Sequence, residues 1–201
     1  MKKTAVIILA GGQGTRFGSQ KQFIQFKGKE LYKHIYDKIT KFVSEQDIVV
    51  VGVYVEGGVT RSGSVINGLE FLAKRNANYD RVLILEAARP LVTSDQLKTI
   101  LNDEHESTTF VLPLVSTIIK KNGDYVDRND YYKLSTPVAF DYTLFSKAYL
   151  SKKYIDYTDD TRVMYEEYGI KPHFLNGAEN LLKLTYKSDL IALERLAEEF
   201  E

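Results

Sequence analysis

Through the first half of this sequence, short apolar runs that stop at glycine or charge alternate with stripes of helical spacing. That rhythm leaves few folds open. Thr4 to Ala10 is a run of strand length that ends at Gly11-Gly12. Leu31 to Val43 then places Leu31, Ile35, Ile39 and Phe42 on one helical face. Ile48 to Val55 reads as the next strand, ended by Gly57-Gly58, and Ser62 to Lys74 as the next helix, through Val65, Ile66, Leu69 and Leu72. Arg81 to Leu85 is a third strand. Ser94 is expected to cap a helix over Asp95 to Leu101, and Thr109 to Leu114 makes a fourth strand. Strands that alternate with helices pair in parallel through right-handed crossovers. The expected fold is therefore α/β, a three-layer sandwich around a mostly parallel, Rossmann-like sheet.

The second half breaks the rhythm. In "STIIKKNGDYVD", Ser116 to Asp127, the pair Asn122-Gly123 is a type I′ turn signal between two β-rich arms. No neighbouring element covers Ile118, Ile119 and Val126, and a lone hairpin is marginal in water. This protruding β-hairpin arm is expected to pack on a partner subunit. Phe140 to Leu150 is expected to be helical, and Ser188 to Phe200 an amphipathic helix capped by Ser188. No linker interrupts the 201 residues, so 1–201 is read as one domain with 115–133 as its arm. Lys plus Arg and Asp plus Glu are equal at 27 each, which offers no general attraction to nucleic acid or an anionic membrane. There is no cysteine for a disulfide or thiolate site, and no apolar run approaches a membrane span. The expected location is cytoplasmic.

In an open parallel sheet, ligands bind beyond the carboxyl ends of the strands. Three clusters fall at such ends: Gly11 to Gly14, Gly57-Gly58, and Glu86 to Arg89. The loop in "LAGGQGTRFGSQKQF" is not a P-loop, because Ser19-Gln20 follow Gly18 where Lys-Ser or Lys-Thr would be needed. Nor is it G-x-G-x-x-G, because Phe17 takes the last place. What remains is a glycine loop with Arg16 and Lys21. Glycines let backbone N–H groups close on phosphate oxygens, a guanidinium can fork two of them, and a lysine adds a compact charge. That set suits a triphosphate. His34, His105 and His173 are unpaired in sequence and receive no role.

Taken in order, the motifs resemble a known family of nucleotidyltransferases. "LAGGQGTRFGSQKQF", "GGVTRSGSVINGL", "LEAARP", "VDRNDYYKLSTPVAF", "YTDD" and "ENLLKLT" are similar to the successive signatures of the 2-C-methyl-D-erythritol 4-phosphate cytidylyltransferases. The related ribitol 5-phosphate cytidylyltransferases share most of them. The resemblance implies a cytidylyltransferase that condenses CTP with a small polyol phosphate to give a CDP-polyol and pyrophosphate. It also implies a divalent cation such as Mg²⁺ and a homodimer joined by the arm. Ala10, Gly11, Gly12, Gly14, Gly58, Arg61 and Ser64 fall on positions for CTP, mostly on its cytidine side. Arg16, Lys21 and Lys183 fall on catalytic positions that hold the triphosphate. Thr117, Arg128, Thr136 and Thr158 fall on positions for the polyol phosphate, some supplied by the partner's arm.

Glu86 stands where the family has Asp, and it either holds the metal or pairs with Arg89. Ser116 and Val138 also depart from the pattern, at an Asp and a Gln position. Asp159-Asp160 read equally as a cap for a helix beginning at Thr161. Other readings of the chain are another nucleotidyltransferase, such as a guanylyltransferase, or a non-catalytic nucleotide-binding relative. The transfer itself needs no Ser-His-Asp machinery. A phosphate monoester is largely dianionic at neutral pH and can attack without a general base. What the site must supply is in-line positioning and cations for the charge that develops.

Overall fold

A computed structural model describes residues 2–12, 17–75 and 78–200. Six strands form the central sheet: β1 (Thr4–Leu9), β4 (Ile48–Val51), β5 (Arg81–Glu86), β6 (Ser107–Pro113), β9 (Tyr132–Asp141) and β10 (His173–Asn176). Their spatial order is β10-β6-β9-β5-β1-β4. β1 runs parallel to β4 and β5, and β10 parallel to β6. β9 is the exception, antiparallel to both β5 and β6. The expected α/β sandwich with a mostly parallel sheet is therefore the architecture found.

Alternation along β1 divides the core. Ala5 and Ile7 face one layer, with Val65, Leu69 and Leu72 of α2 (Arg61–Ala73), Phe145 and Tyr149 of α4 (Tyr142–Leu150) and Val163 and Met164 of α5 (Asp160–Tyr168). Val6 and Ile8 face the other, with Ile35 and Ile39 of α1 (Leu31–Ile39) and Leu97 and Ile100 of α3 (Ser94–Asn102). A third cluster seats α6 (Asp189–Phe200) through Leu193 and Ala197, against Phe17, Leu31 and Leu184. No helix among the described residues is long and apolar enough to cross a membrane.

Several boundaries differ from expectation, each for a local reason. β4 stops at Val51, not Val55, because Gly52 turns the chain with φ +97°. α1 ends at Ile39, and the N–H groups of Phe42 and Val43 both turn back to the Ile39 carbonyl. Thr93, not Ser94, caps α3, because Gln96 completes a reciprocal capping box with it. Phe140 belongs to β9, and Asp141 caps the helix that follows. The tail helix, by contrast, begins at Asp189 directly after the expected cap Ser188, and the Asp189 carboxylate accepts from the N–H groups of Thr185 and Tyr186.

Two strands of the central sheet, β9 and β10, are absent from the sequence expectation, and for β9 the reason is local. Pro137 argues against a central strand, since it cannot donate to a ladder. The sheet resolves this with a register shift: Thr109 pairs with Val138, and Phe110 with Ser135, so Thr136 and Pro137 form an irregularity between them.

The arm comprises β7 (Ile118–Ile119) and β8 (Tyr125–Val126) in a separate two-stranded sheet. Its turn is not type I′. Lys120 accepts from the N–H of Gly123, and only Gly123, at φ +96°, is left-handed there. Lys121 and Asn122 occupy the turn, and Gly123 takes the bulge position. A two-residue turn with both φ values positive occurs instead at Lys27 (44°) and Gly28 (77°), between β2 (Gln25–Phe26) and β3 (Lys29–Glu30).

Candidate active site

β1 and β5 end side by side, with Leu9 in register with Glu86. The loops that follow them converge at the carboxyl edge of the sheet and enclose a cavity of about 550 Å³. One wall is backbone at close approach. The Ala10 N–H donates to the Val51 carbonyl at 2.8 Å. A Cβ on Gly52 would lie 2.3 Å from the Gly11 nitrogen, and one on Gly58 2.3 Å from the Gly63 carbonyl carbon, so neither position admits a side chain. Thr60 caps α2 by accepting from the Gly63 N–H, and the Gly58 N–H donates to Ser64 Oγ at 3.0 Å. Ala10, Gly11, Gly12, Gly58, Arg61 and Ser64, the residues expected on the cytidine side, all line the cavity. Gly14 and Arg16 lie outside the described residues.

Charge lines the rest of the cavity. Lys21, Arg61, Arg89 and Lys183 face the cavity together with Glu86, Asp159 and Asp160. Glu86 is buried at the end of β5. Its carboxylate meets Lys183 Nζ at 2.7 Å, Arg61 Nε at 3.4 Å and Arg89 Nε at 3.7 Å. Burial would push its pKa up, but Lys183, Arg61 and Arg89 outweigh it and hold the pKa down at about 2. Of the two sequence readings of Glu86, pairing with Arg89 is observed, joined by two further cations.

Arg61 is fixed from the other side by Asp160, which takes both guanidinium nitrogens at 2.6 Å and also accepts from Tyr149 Oη. Burial lowers the Arg61 pKa, and the pull of Asp160 and then Glu86 carries it above the ordinary arginine value. Arg89 donates to Thr136 Oγ1 at 2.8 Å and to the Leu181 carbonyl. Thr136 thus presents its hydroxyl to this cluster from the irregularity in β9.

Lys183 sits in an extended segment held at both ends. The Leu184 N–H donates to the Ala88 carbonyl, and Lys21 Nζ donates to the Leu184 carbonyl at 2.8 Å. Upstream, buried Asn180 donates to the Leu91 carbonyl and to Gln96 Oε1, while Gln96 Nε2 returns a bond to Asn180 Oδ1. The cap of α3 is therefore tied to the segment that carries Lys183.

Lys21, Lys183, Glu86, Thr136 and Thr158 line the cavity. Thr117 and Arg128 do not: both are exposed on or beside the arm, where Arg128 donates to the Val115 carbonyl. Asp159 caps α5 by accepting from the Arg162 N–H, as the cap reading has it, but Asp160 turns inward to Arg61. The adjacent carboxylates in "YTDD" were the available signal, and only the fold separates their roles. Gln96 and Asn180 had no signal of this kind.

As folded, Glu86 and Asp160 do not make a divalent-cation site. Mg²⁺ needs several free oxygen ligands. Both carboxylates are occupied by cations, three against two acids. The arrangement instead leaves Lys183 and Lys21 beside a backbone-lined hollow, which fits an anion.

The comparisons with known proteins agree with this geometry. The family model of 2-C-methyl-D-erythritol 4-phosphate cytidylyltransferase matches residues 4–199. The protein of that name from Thermotoga neapolitana is 33% identical, over 97% of each chain. The D-ribitol-5-phosphate cytidylyltransferase of Xenopus tropicalis is 29% identical over 98% of this chain and 57% of its own. The solved structure of the bifunctional IspDF from Campylobacter jejuni superposes with a TM-score of 0.82 at 27% identity, over 96% of this chain and 54% of that one. The present chain thus spans a little over half the length of each of these last two. With the family model covering almost its whole length, the chain belongs to the 2-C-methyl-D-erythritol 4-phosphate cytidylyltransferase family.

Proposed function

We propose that this protein transfers a cytidylyl group from CTP to a small polyol phosphate of the 2-C-methyl-D-erythritol 4-phosphate or ribitol 5-phosphate type. The observation that carries this reading is the meeting of the backbone-walled hollow at Gly11-Gly12 and Gly58 with Lys21 and Lys183 in one cavity. A backbone wall admits a flat pyrimidine and its ribose at close range. The two lysines supply positive charge for the triphosphate and for the departing pyrophosphate.

In the reaction, an oxygen of the polyol's phosphate dianion attacks the α-phosphorus of CTP. A new P–O bond forms to the substrate, the α–β bridging bond breaks, and pyrophosphate leaves with that electron pair. No proton need be removed first. Arg61 and Arg89 are held by Asp160, Glu86, Thr136 and Leu181, so they act as a fixed positive backing to the site. Thr136 and Thr158 fit the substrate side of the cavity. A divalent cation belongs to this reading as a companion of the triphosphate, which carries its own oxygen ligands; no step here depends on it.

Thr117 and Arg128, exposed at the arm, reach a substrate only if the arm of a second copy is laid across the cavity, so the working form is proposed to be a homodimer. Apolar side chains exposed along the arm and the start of β9, Ile119, Tyr125 and Tyr132 among them, support it. The test is pyrophosphate release with CTP, GTP, UTP and ATP against a panel of polyol phosphates. Release with CTP and one polyol phosphate is expected. Release only with GTP, or tight CTP binding without release on any acceptor, would overturn the reading.

A further inference from the structure

We propose that Asp103, His105 and His173 form a binding site for a divalent transition metal of the Zn²⁺ class, separate from the reaction site. The three residues come from three elements: Asp103 directly follows α3, His105 lies in the turn before β6, and His173 opens β10. β6 and β10 run parallel to β5, because each is related to it through antiparallel β9. Their first residues therefore lie at the amino edge of the sheet, across from the cavity at its carboxyl edge.

The donor set is the kind that selects Zn²⁺ and its neighbours: two imidazole nitrogens and one carboxylate. His105 Nδ1 lies 3.2 Å from both Asp103 oxygens, and His173 Nδ1 lies 2.8 Å from Oδ2. The three ligand atoms fall within 4.8 Å of one another. Bond lengths of about 2.0–2.2 Å in a tetrahedron separate ligand atoms by about 3.3–3.6 Å. The His105 separations of 3.2 Å need to open by a few tenths of an ångström, and the 2.8 Å separation of His173 by about half an ångström or a little more. The two rings now stack at 3.8 Å with 23° between their planes, and must splay for both Nδ1 lone pairs to meet one ion. Side-chain exposures of 59% and 40% leave them room to do so, and leave solvent free to supply a fourth ligand.

The carboxylate, by contrast, is already fixed. It is buried, and it accepts from Thr108 Oγ1 and the His105 backbone N–H. Such outer contacts hold a ligand in position for an ion. Acidic groups surround the nearby cation: Arg81 feels Asp103, Asp141 and Glu104 together. In the ligating form each neutral imidazole keeps its proton on Nε2, so Nδ1 is free to donate its lone pair. An ion here would tie the end of α3 to edge strand β10, which pairs on one side only, with β6.

The experiment titrates tag-free protein with Zn²⁺ by calorimetry, and with Co²⁺ to read ligand-field absorption, for wild type, His105→Ala and His173→Ala. One Zn²⁺ per wild-type chain is expected, with a tetrahedral Co²⁺ spectrum and a higher Tm in Zn²⁺. Each variant should bind more weakly by at least the ~10–100-fold seen when an outer contact is lost, and should lose the Tm gain. His105 is exposed enough that its removal spares the fold, which circular dichroism verifies. No binding by the wild type, or equal affinity in wild type and both variants, overturns the proposal; the second result would put the ion at another carboxylate.

Discussion

Replacing Glu86 by Gln should remove most of one acid-sensitive component of stability. Glu86 has a pKa of about 2 in the folded chain against an ordinary 4.5, because three cations outweigh its burial. A carboxylate with a depressed folded pKa stabilises above its unfolded pKa and loses that contribution as pH falls toward the folded one. At about 1.36 kcal/mol per unit, the difference is worth about 3 kcal/mol at pH 7. The same two-pKa relation leaves most of this at pH 4 and only about 1 kcal/mol at pH 3.

Urea unfolding of wild type and Glu86→Gln at pH 7, 5, 4 and 3 reads this directly. The gap between the two proteins should narrow by about 2 kcal/mol from pH 7 to pH 3. Gln keeps the shape of the side chain, so the comparison isolates the charge. A gap that stays constant, or widens on acidification, would show that Lys183, Arg61 and Arg89 do not hold this carboxylate ionised. The same data speak to the metal question. A carboxylate bound this firmly by protein cations has little to gain from Mg²⁺ in the free enzyme, so adding Mg²⁺ without CTP should leave the wild-type curves unmoved.

Three further outcomes are expected. Asp160→Asn leaves the partly buried Arg61 guanidinium short of its bidentate, fully buried partner, a loss of about 3–5 kcal/mol; with about 2.1 cal/mol/K of unfolding entropy per residue over 201 residues, Tm should fall by about 7–12 °C in calorimetry. Adding Arg61→Met should recover part of that loss, and no recovery would mean the two residues are not energetically coupled. Gly58→Ala sets a methyl 2.3 Å from the Gly63 carbonyl carbon, where only backbone can move, so about 1–3 kcal/mol of stability and most CTP affinity should go together; a variant with unchanged Tm and CTP binding would refute the close-packed wall. Ile119→Asp with Tyr125→Ser, at arm positions 52% and 77% exposed, should convert a dimer into a 22.9 kDa monomer by light scattering and abolish turnover; an unchanged mass would remove the arm from the interface.

What the sequence announced and what it hid divide along a physical line. Elements that bury themselves by their own periodicity were readable: β1, α2 and β5 carry their apolar spacing in contiguous residues, and the glycines that end β1 were visible as breaks. β9 was not, because Pro137 gives the local signal of a non-strand, and only the register shift against β6 removes the conflict. Thr136, which the family pattern marks for substrate, sits in that same irregularity and holds Arg89. The residue that spoils the strand signal is adjacent to the one that holds Arg89 at the cavity wall.

The same division runs through the site. Lys21 and the glycine loop could be named from their own stretch, and Lys183 only from its place in the order of motifs that resemble the family's. Gln96 and Asn180 lie in ordinary stretches, and their importance is relational: each satisfies the other's buried amide while one caps α3 and the other anchors the approach to Lys183. His105 and His173 are the clearest case. They are 68 positions apart in the chain, the acidic neighbours Asp103, Glu104 and Glu106 of His105 give no hint of His173, and they meet because β10 pairs with β6 rather than with any strand near it in sequence. A single sequence carries no trace of such pairings except through the strand order that produces them. A chain whose β10 paired elsewhere would keep every catalytic motif and lose this histidine pair.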